Sequence, residues 1–229
     1  MTTQMELSTR VAKRLQTIHQ RIAAACERTG QDEADVTLIA VSKTHPAETV
    51  RAGFEAGMID FGENRVAEGA DKITALKSLR PRPTWHLIGH LQSNKAGKAI
   101  DCFDTIHSVD SAKLMHRLGR LATRELGVFI QVNVSGEASK EGIQPSALPE
   151  LVAAAAEYPQ LRLEGLMTIA PLSADPEAAR PHFANLRKLA QQHGLRHLSM
   201  GMTNDYEVAI EEGATHVRVG RAIFGERAN

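Results

Sequence analysis

Lys43 stands at the end of a short apolar run, Leu38-Ile39-Ala40-Val41-Ser42, and is followed at once by Thr44-His45-Pro46. A lysine that ends a strand is most often a solvated surface charge. The reactive reading is an amine whose stem lies among apolar neighbours, with a lowered pKa and the capacity to form a Schiff base with an aldehyde. Two later stretches could supply its counterpart. Ser199-Met200-Gly201-Met202-Thr203-Asn204-Asp205 and Val219-Gly220-Arg221-Ala222-Ile223-Phe224-Gly225 are rich in small residues. Such segments let backbone N–H groups approach an anion. A glycine-bearing turn is weak evidence by itself, so the elements that carry these residues must decide.

The run before Lys43 is rich in Val and Ile and lacks a helical stripe, so it reads as a strand buried on both faces. Pro46 then opens a helix. The same beat recurs along the chain, with strands near residues 38, 59, 86, 104, 130, 164, 198 and 217 and helical patterns between them. Strict alternation implies a parallel sheet, and eight units imply a closed (β/α)8 TIM barrel. An open doubly wound sheet is the competing arrangement, but no G-x-G-x-x-G follows a strand. The periodic residues Val11, Leu15, Ile18, Ile22 and Ala25, closed by Gly30, form an amphipathic helix ahead of the first strand. It is expected to lie outside the main architecture. The division is then one domain over 1–229, with an N-terminal helix in 1–30 and the barrel in 36–225.

Composition limits the function. Twenty-seven basic residues balance 27 acidic ones, which argues against a nucleic-acid surface. The two cysteines, Cys26 and Cys102, are far apart and in no metal-like spacing, so a reducing cytoplasm is expected. No run approaches membrane-spanning length and no signal-peptide core is present. His86, His90 and His107 lack acidic or Cys partners at ligand spacing, so no metal site is expected. Trp85 reads as core.

In a barrel of this type, function collects where the strands finish. Those ends carry Lys43, Asn64, Ser199, Arg218 and Gly220. The loops after the seventh and eighth strands are the usual phosphate-binding place. An aldehyde-reactive amine opposite a phosphate cradle matches pyridoxal 5′-phosphate.

The segments Ala40-Val41-Ser42-Lys43-Thr44, Phe61-Gly62-Glu63-Asn64, His86-Leu87-Ile88-Gly89-His90-Leu91-Gln92-Ser93-Asn94-Lys95, Gly165-Leu166-Met167, Ser199-Met200-Gly201-Met202 and Val217-Arg218-Val219-Gly220 resemble, in order, the pyridoxal phosphate homeostasis proteins. These are single-domain relatives of the barrel half of alanine racemase, with the fold-type III barrel. The resemblance implies a Schiff base on Lys43, a phosphate held by Ser199 and the backbone around Gly220 and Arg221, Asn64 in the cofactor pocket, and Arg218 facing the pyridine nitrogen. Guanidinium only donates hydrogen bonds, so a ring nitrogen facing it acts as acceptor and the ring is a poor electron sink. Three positions depart from the pattern: Arg221 where a small hydroxyl residue is common, Thr203 for a frequent serine, and Arg65 where a tyrosine is often seen.

Two functions follow for such a protein. One is a carrier that binds, buffers and hands over pyridoxal phosphate, with apo-enzymes as transient recipients. The other is an amino-acid racemase, which favours a second base opposite Lys43. The tyrosines are Tyr158, placed away from the rim, and Tyr206, near the seventh strand. The carrier is the expected function. A Schiff-base aldolase acting on sugar phosphates is the remaining alternative, and a monomer is the expected state.

Overall fold

The computed structural model describes residues 3–137 and 140–226. Eight parallel strands close into a barrel in chain order, with the last paired back onto the first. They are β1 (Thr37–Val41), β2 (Asp60–Glu63), β3 (Thr84–Leu87), β4 (Thr105–Val109), β5 (Leu126–Gln131), β6 (Leu161–Met167), β7 (His197–Met202) and β8 (His216–Val219). The strands appear where the apolar runs placed them. The helix after β4 ends at Leu121. The guanidinium of Arg124 donates to the carbonyls of Ile100 and Phe103, both at 2.7 Å. That bond set ties the turn down and lets β5 begin at Leu126.

Helices α2 (Ala47–Glu55), α3 (Val66–Ala75), α4 (Ala96–Cys102), α5 (Ala112–Leu121), α6 (Leu148–Ala156), α7 (Arg180–Gln192) and α8 (Tyr206–Glu211) follow the first seven strands. After β8 there is room only for α9 (Arg221–Phe224), a helix of 4 residues. The place of a full eighth ring helix is taken by α1 (Gln4–Thr29), which packs against α2, α8 and α9. This corrects the expectation that the N-terminal helix lies outside the architecture. Its stripe Val11, Leu15, Ile18, Ile22 and Ala25 is buried, as a helix filling a gap in the ring requires. A reciprocal Thr3–Glu6 capping box starts it, and Gly30 at φ 70° ends it.

Successive side chains of a strand face opposite ways. One set, including Leu38, Ala40, Phe61, Trp85, Leu87, Ile106, Val128, Ile130, Leu198, Val217 and Val219, joins the apolar core beneath the helices. The alternate set faces into the barrel. There the pattern is polar: Asp60 on β2, His86 on β3, His107 on β4, His197 and Ser199 on β7, His216 and Arg218 on β8, with the Phe129 ring stacked on His107 at 4.4 Å.

Candidate functional site

A cavity of about 590 Å³ opens at the carboxyl ends of the strands. The exit of β1 brings Val41, Lys43 and His45 to it, β2 brings Asn64, β3 Ile88, and β8 Arg218, Gly220 and Arg221. The loop after β6 covers one side with Ile169, Leu172 and neighbours, and Met202 to Asp205 after β7 form another. Five of the six residues singled out from the sequence thus share one cavity. Trp85 lies in the core, as expected.

Lys43 is half-buried on the rim, and the backbone that presents it is tightly held. Thr44 has φ 65°, a conformation that costs a β-branched residue strain energy. Its N–H donates to Glu68 Oε1 at 2.5 Å. Lys72 Nζ, itself buried, donates to Glu68 Oε1 at 2.8 Å, to Glu63 Oε1 at 2.7 Å and to the Ser42 carbonyl at 2.7 Å. An ammonium has three protons, and all three are used here. Ser42 Oγ also donates to Glu63 Oε1, at 2.6 Å. Burial pushes the Glu63 carboxyl up from its ordinary range, against the pull of Lys72 and Ser42. For Glu68 burial also acts upward, but the bonds from Lys72 and the Thr44 N–H outweigh it and the carboxyl sits below its ordinary range. Both residues flanking Lys43 are therefore anchored to α3.

Arg218 is buried, and burial pushes its guanidinium down to about 10, opposed by Asp205. It remains a cation at neutral pH. Nη1 donates to Ser199 Oγ at 2.6 Å and Nη2 to the Thr168 carbonyl at 2.9 Å. These bonds set the plane of the fork at the cavity floor. Asp205 accepts from the Met202 N–H at 2.6 Å, which folds the β7 exit into a tight turn. Gly201, at φ 88°, makes the turn possible, since a Cβ there would lie 2.5 Å from Ala209 Cβ. Arg221 is exposed at the rim. The first N–H groups of α9 have no partner within the helix.

Ser199 is the residue the structure places elsewhere. Ser199 is expected at the end of the seventh strand, but β7 runs on to Met202. Ser199 is fully buried below the cavity, held between Arg218 and His107 Nδ1 at 2.8 Å. Its β7–β8 pairing shifts register between Ser199 and Met202, an irregularity that alternation alone does not reveal. The rim positions are instead Thr203 and Asn204. Their signal was present in the Thr-Asn-Asp turn after Gly201.

Neither tyrosine lines the cavity. Tyr206 is buried under α1, with the Arg21 guanidinium 5.4 Å above its ring, and Tyr158 packs on α5 beside His116. Of the loop at 135–142, Ala138 and Ser139 lie outside the described residues. The rest is folded around Asn133, whose amide donates to the Glu137 carbonyl at 2.8 Å and accepts from the Gly136 N–H at 3.0 Å. Among the described residues, no helix is long and apolar enough to cross a membrane.

Residues 14–228 match the family described as alanine racemase, N-terminal domain. The pyridoxal phosphate homeostasis protein of Aquifex aeolicus is 43% identical over 94% of this chain and 97% of its own. That of Pseudomonas aeruginosa is 45% identical, over 95% and 96%. The solved structure of PipY from Synechococcus elongatus, with PLP bound, superposes with a TM-score of 0.82 at 40% identity, over 94% of this chain and all of that one.

Proposed function

The chain belongs to the pyridoxal phosphate homeostasis proteins of the alanine racemase N-terminal domain family, and from that premise we propose that it binds pyridoxal 5′-phosphate in the cavity at the strand ends and holds it for handover rather than for turnover. The observation that carries this reading is the convergence of Lys43, Arg218 and the Gly220–Arg221 turn on one cavity of about 590 Å³, within the range of small-ligand sites. Bound here, the cofactor would supply an aldehyde carbon as the electrophile for an amine.

This chain's own groups divide the remaining work. Lys43 supplies the amine on a backbone fixed by Lys72 and Glu68. Asn64 lines the pocket beside it. Thr203, the Gly220–Arg221 backbone and the Arg221 side chain take the phosphate, the role first given to Ser199, whose hydroxyl is engaged with Arg218 and His107. Arg218 presents donors alone to the ring nitrogen. That disfavours stabilising negative charge on the ring and so disfavours racemisation. Neither tyrosine can serve as the second base for racemisation, because Tyr158 and Tyr206 both lie away from the cavity. The protein acts in the cytoplasm as a monomer, with apo-enzymes that use the cofactor as its transient recipients.

The test is the absorption spectrum of the purified protein beside Lys43→Ala, before and after addition of pyridoxal phosphate. A near-visible band that borohydride fixes in the wild type and that is lost in the variant is expected. A wild type that stays colourless with added cofactor would overturn the assignment.

A further inference from the structure

The barrel interior holds a line of polar groups that the cavity does not account for. Arg218 Nη1 lies 2.6 Å from Ser199 Oγ, and Ser199 Oγ lies 2.8 Å from His107 Nδ1. His107 Nε2 lies 3.0 Å from His86 Nδ1, and His86 Nε2 lies 3.0 Å from Asp60 Oδ1. The line runs from the cavity floor to the opposite mouth of the barrel, where the Asp60 side chain is 30% exposed. Its middle members are sealed in: Ser199 and His107 are fully buried and His86 nearly so.

The direction of every bond follows from its two ends. Guanidinium can only donate, so Ser199 Oγ accepts from Arg218 and its own proton is free to go to His107 Nδ1. His107 then carries its proton on Nε2 and donates to His86 Nδ1. His86 carries its proton on Nε2 and donates to Asp60, an acceptor when ionised. All the dipoles point the same way, away from the Arg218 cation and toward the Asp60 anion, an arrangement in which each bond strengthens the next. The arrangement needs a neutral His107. Burial, together with His86, His216 and Arg218 nearby, holds His107 well below its ordinary range. The groups facing it are those three, the stacked Phe129 ring and Ser199.

We propose that Asp60, His86, His107 and Ser199 are positioning residues that act in series to fix the guanidinium of Arg218 at the cofactor cavity. Removing the acceptor at position 60 removes the reason for His86 to keep its tautomer. His86 can then present N–H toward His107, whose own proton must move to Nδ1. Ser199 would then accept from both neighbours and lose its own donation to His107, which had polarised its oxygen, so its hold on Arg218 would weaken. A barrel interior needs only packed branched side chains for stability, so a polar line of this length marks a positioning role.

The proposal rests on Arg218 facing the bound ring, and its test separates the two. In the unloaded wild type, ¹⁵N NMR of histidine should show His107 protonated at Nε2 and bare at Nδ1; the opposite tautomer would overturn the relay with no reference to any cofactor. In the loaded protein, Asp60→Leu should weaken pyridoxal phosphate binding about tenfold, the worth of one hydrogen bond, and move the near-visible band. Asp60→Asn, which keeps an acceptor, should stay within roughly twofold of wild type. Ser199→Ala should act in the same direction as Asp60→Leu, and the double variant should bind no more weakly than Ser199→Ala alone. Additive losses, or a folded Asp60→Leu with unchanged band and affinity, would refute action in series. A wild type that gives no band with cofactor would refute the binding reading instead and leave the NMR result standing.

Discussion

Replacing Lys72 by methionine removes one charge from a pair closed inside the fold. Its side chain is 7% exposed and that of Glu63 fully buried, with Nζ and Oε1 2.7 Å apart. At that distance and an effective dielectric of about 20, the attraction is about 6 kcal/mol. Each ion gives up several kcal/mol of hydration to be there. The intact pair is therefore close to break-even, whereas either charge alone is not. Lys72→Met should cost about 3–5 kcal/mol, read as a lower urea midpoint at unchanged slope. Lys72→Met combined with Glu63→Gln should lose less than the sum of the single variants by at least about 1 kcal/mol. The loss should also reach the site, because Lys72 holds both the Ser42 carbonyl and the Glu68 carboxylate that pins strained Thr44. Cofactor affinity measured by the near-visible band should fall with it. A Lys72→Met protein within about 1 kcal/mol of wild type, or additive single and double variants, would refute the reasoning.

Acid should destabilise the protein through its interior histidines. Burial pushes His216 down to about 3, while in the unfolded chain it titrates near 6.5. The unfolded state binds more protons below that value, so stability falls as pH drops from about 6.5 toward 3, by about 3 kcal/mol between pH 6.5 and 4. Urea midpoints for wild type and His216→Phe should converge or cross as pH is lowered across that window; parallel curves would contradict it. Gly89→Ala should be poorly tolerated, since a Cβ there would lie 2.4 Å from the Asn64 carbonyl oxygen and 2.8 Å from its Cα. A loss of about 1–3 kcal/mol in urea unfolding is expected, with weaker cofactor binding because Asn64 lines the cavity.

The eight strands were legible because each is a short apolar run between turn residues, and closure followed from their number and alternation. Lys43, Asn64, Arg218, Gly220 and Arg221 line one cavity because each stands at or beside the stop of such a run. Ser199 falls outside that lining, because the rule needs the true end of the strand. The irregular pairing of β7 with β8 carries the chain to Met202 before it turns. The stripe on α1 declared a buried face but not its partner. That partner became visible only with the 4-residue α9 and the gap it leaves. Alternation likewise assigns His86 and His107 to inward faces, yet their contact depends on the stagger between β3 and β4.

The ring is closed by the pairing of Thr37–Ala40 with His216–Val219, strands from opposite ends of the chain, and α1 bridges the same seam. During synthesis β1 emerges early and then waits, with one edge unpaired, for almost the whole of the remaining sequence. Lys43 is present through all of that time, but Arg218 and the Gly220 turn are not. A nascent chain therefore displays the amine without the pocket, and capacity to retain the cofactor arrives in one step when the last strand docks. Possession of the cofactor is in this sense a report that the barrel has closed.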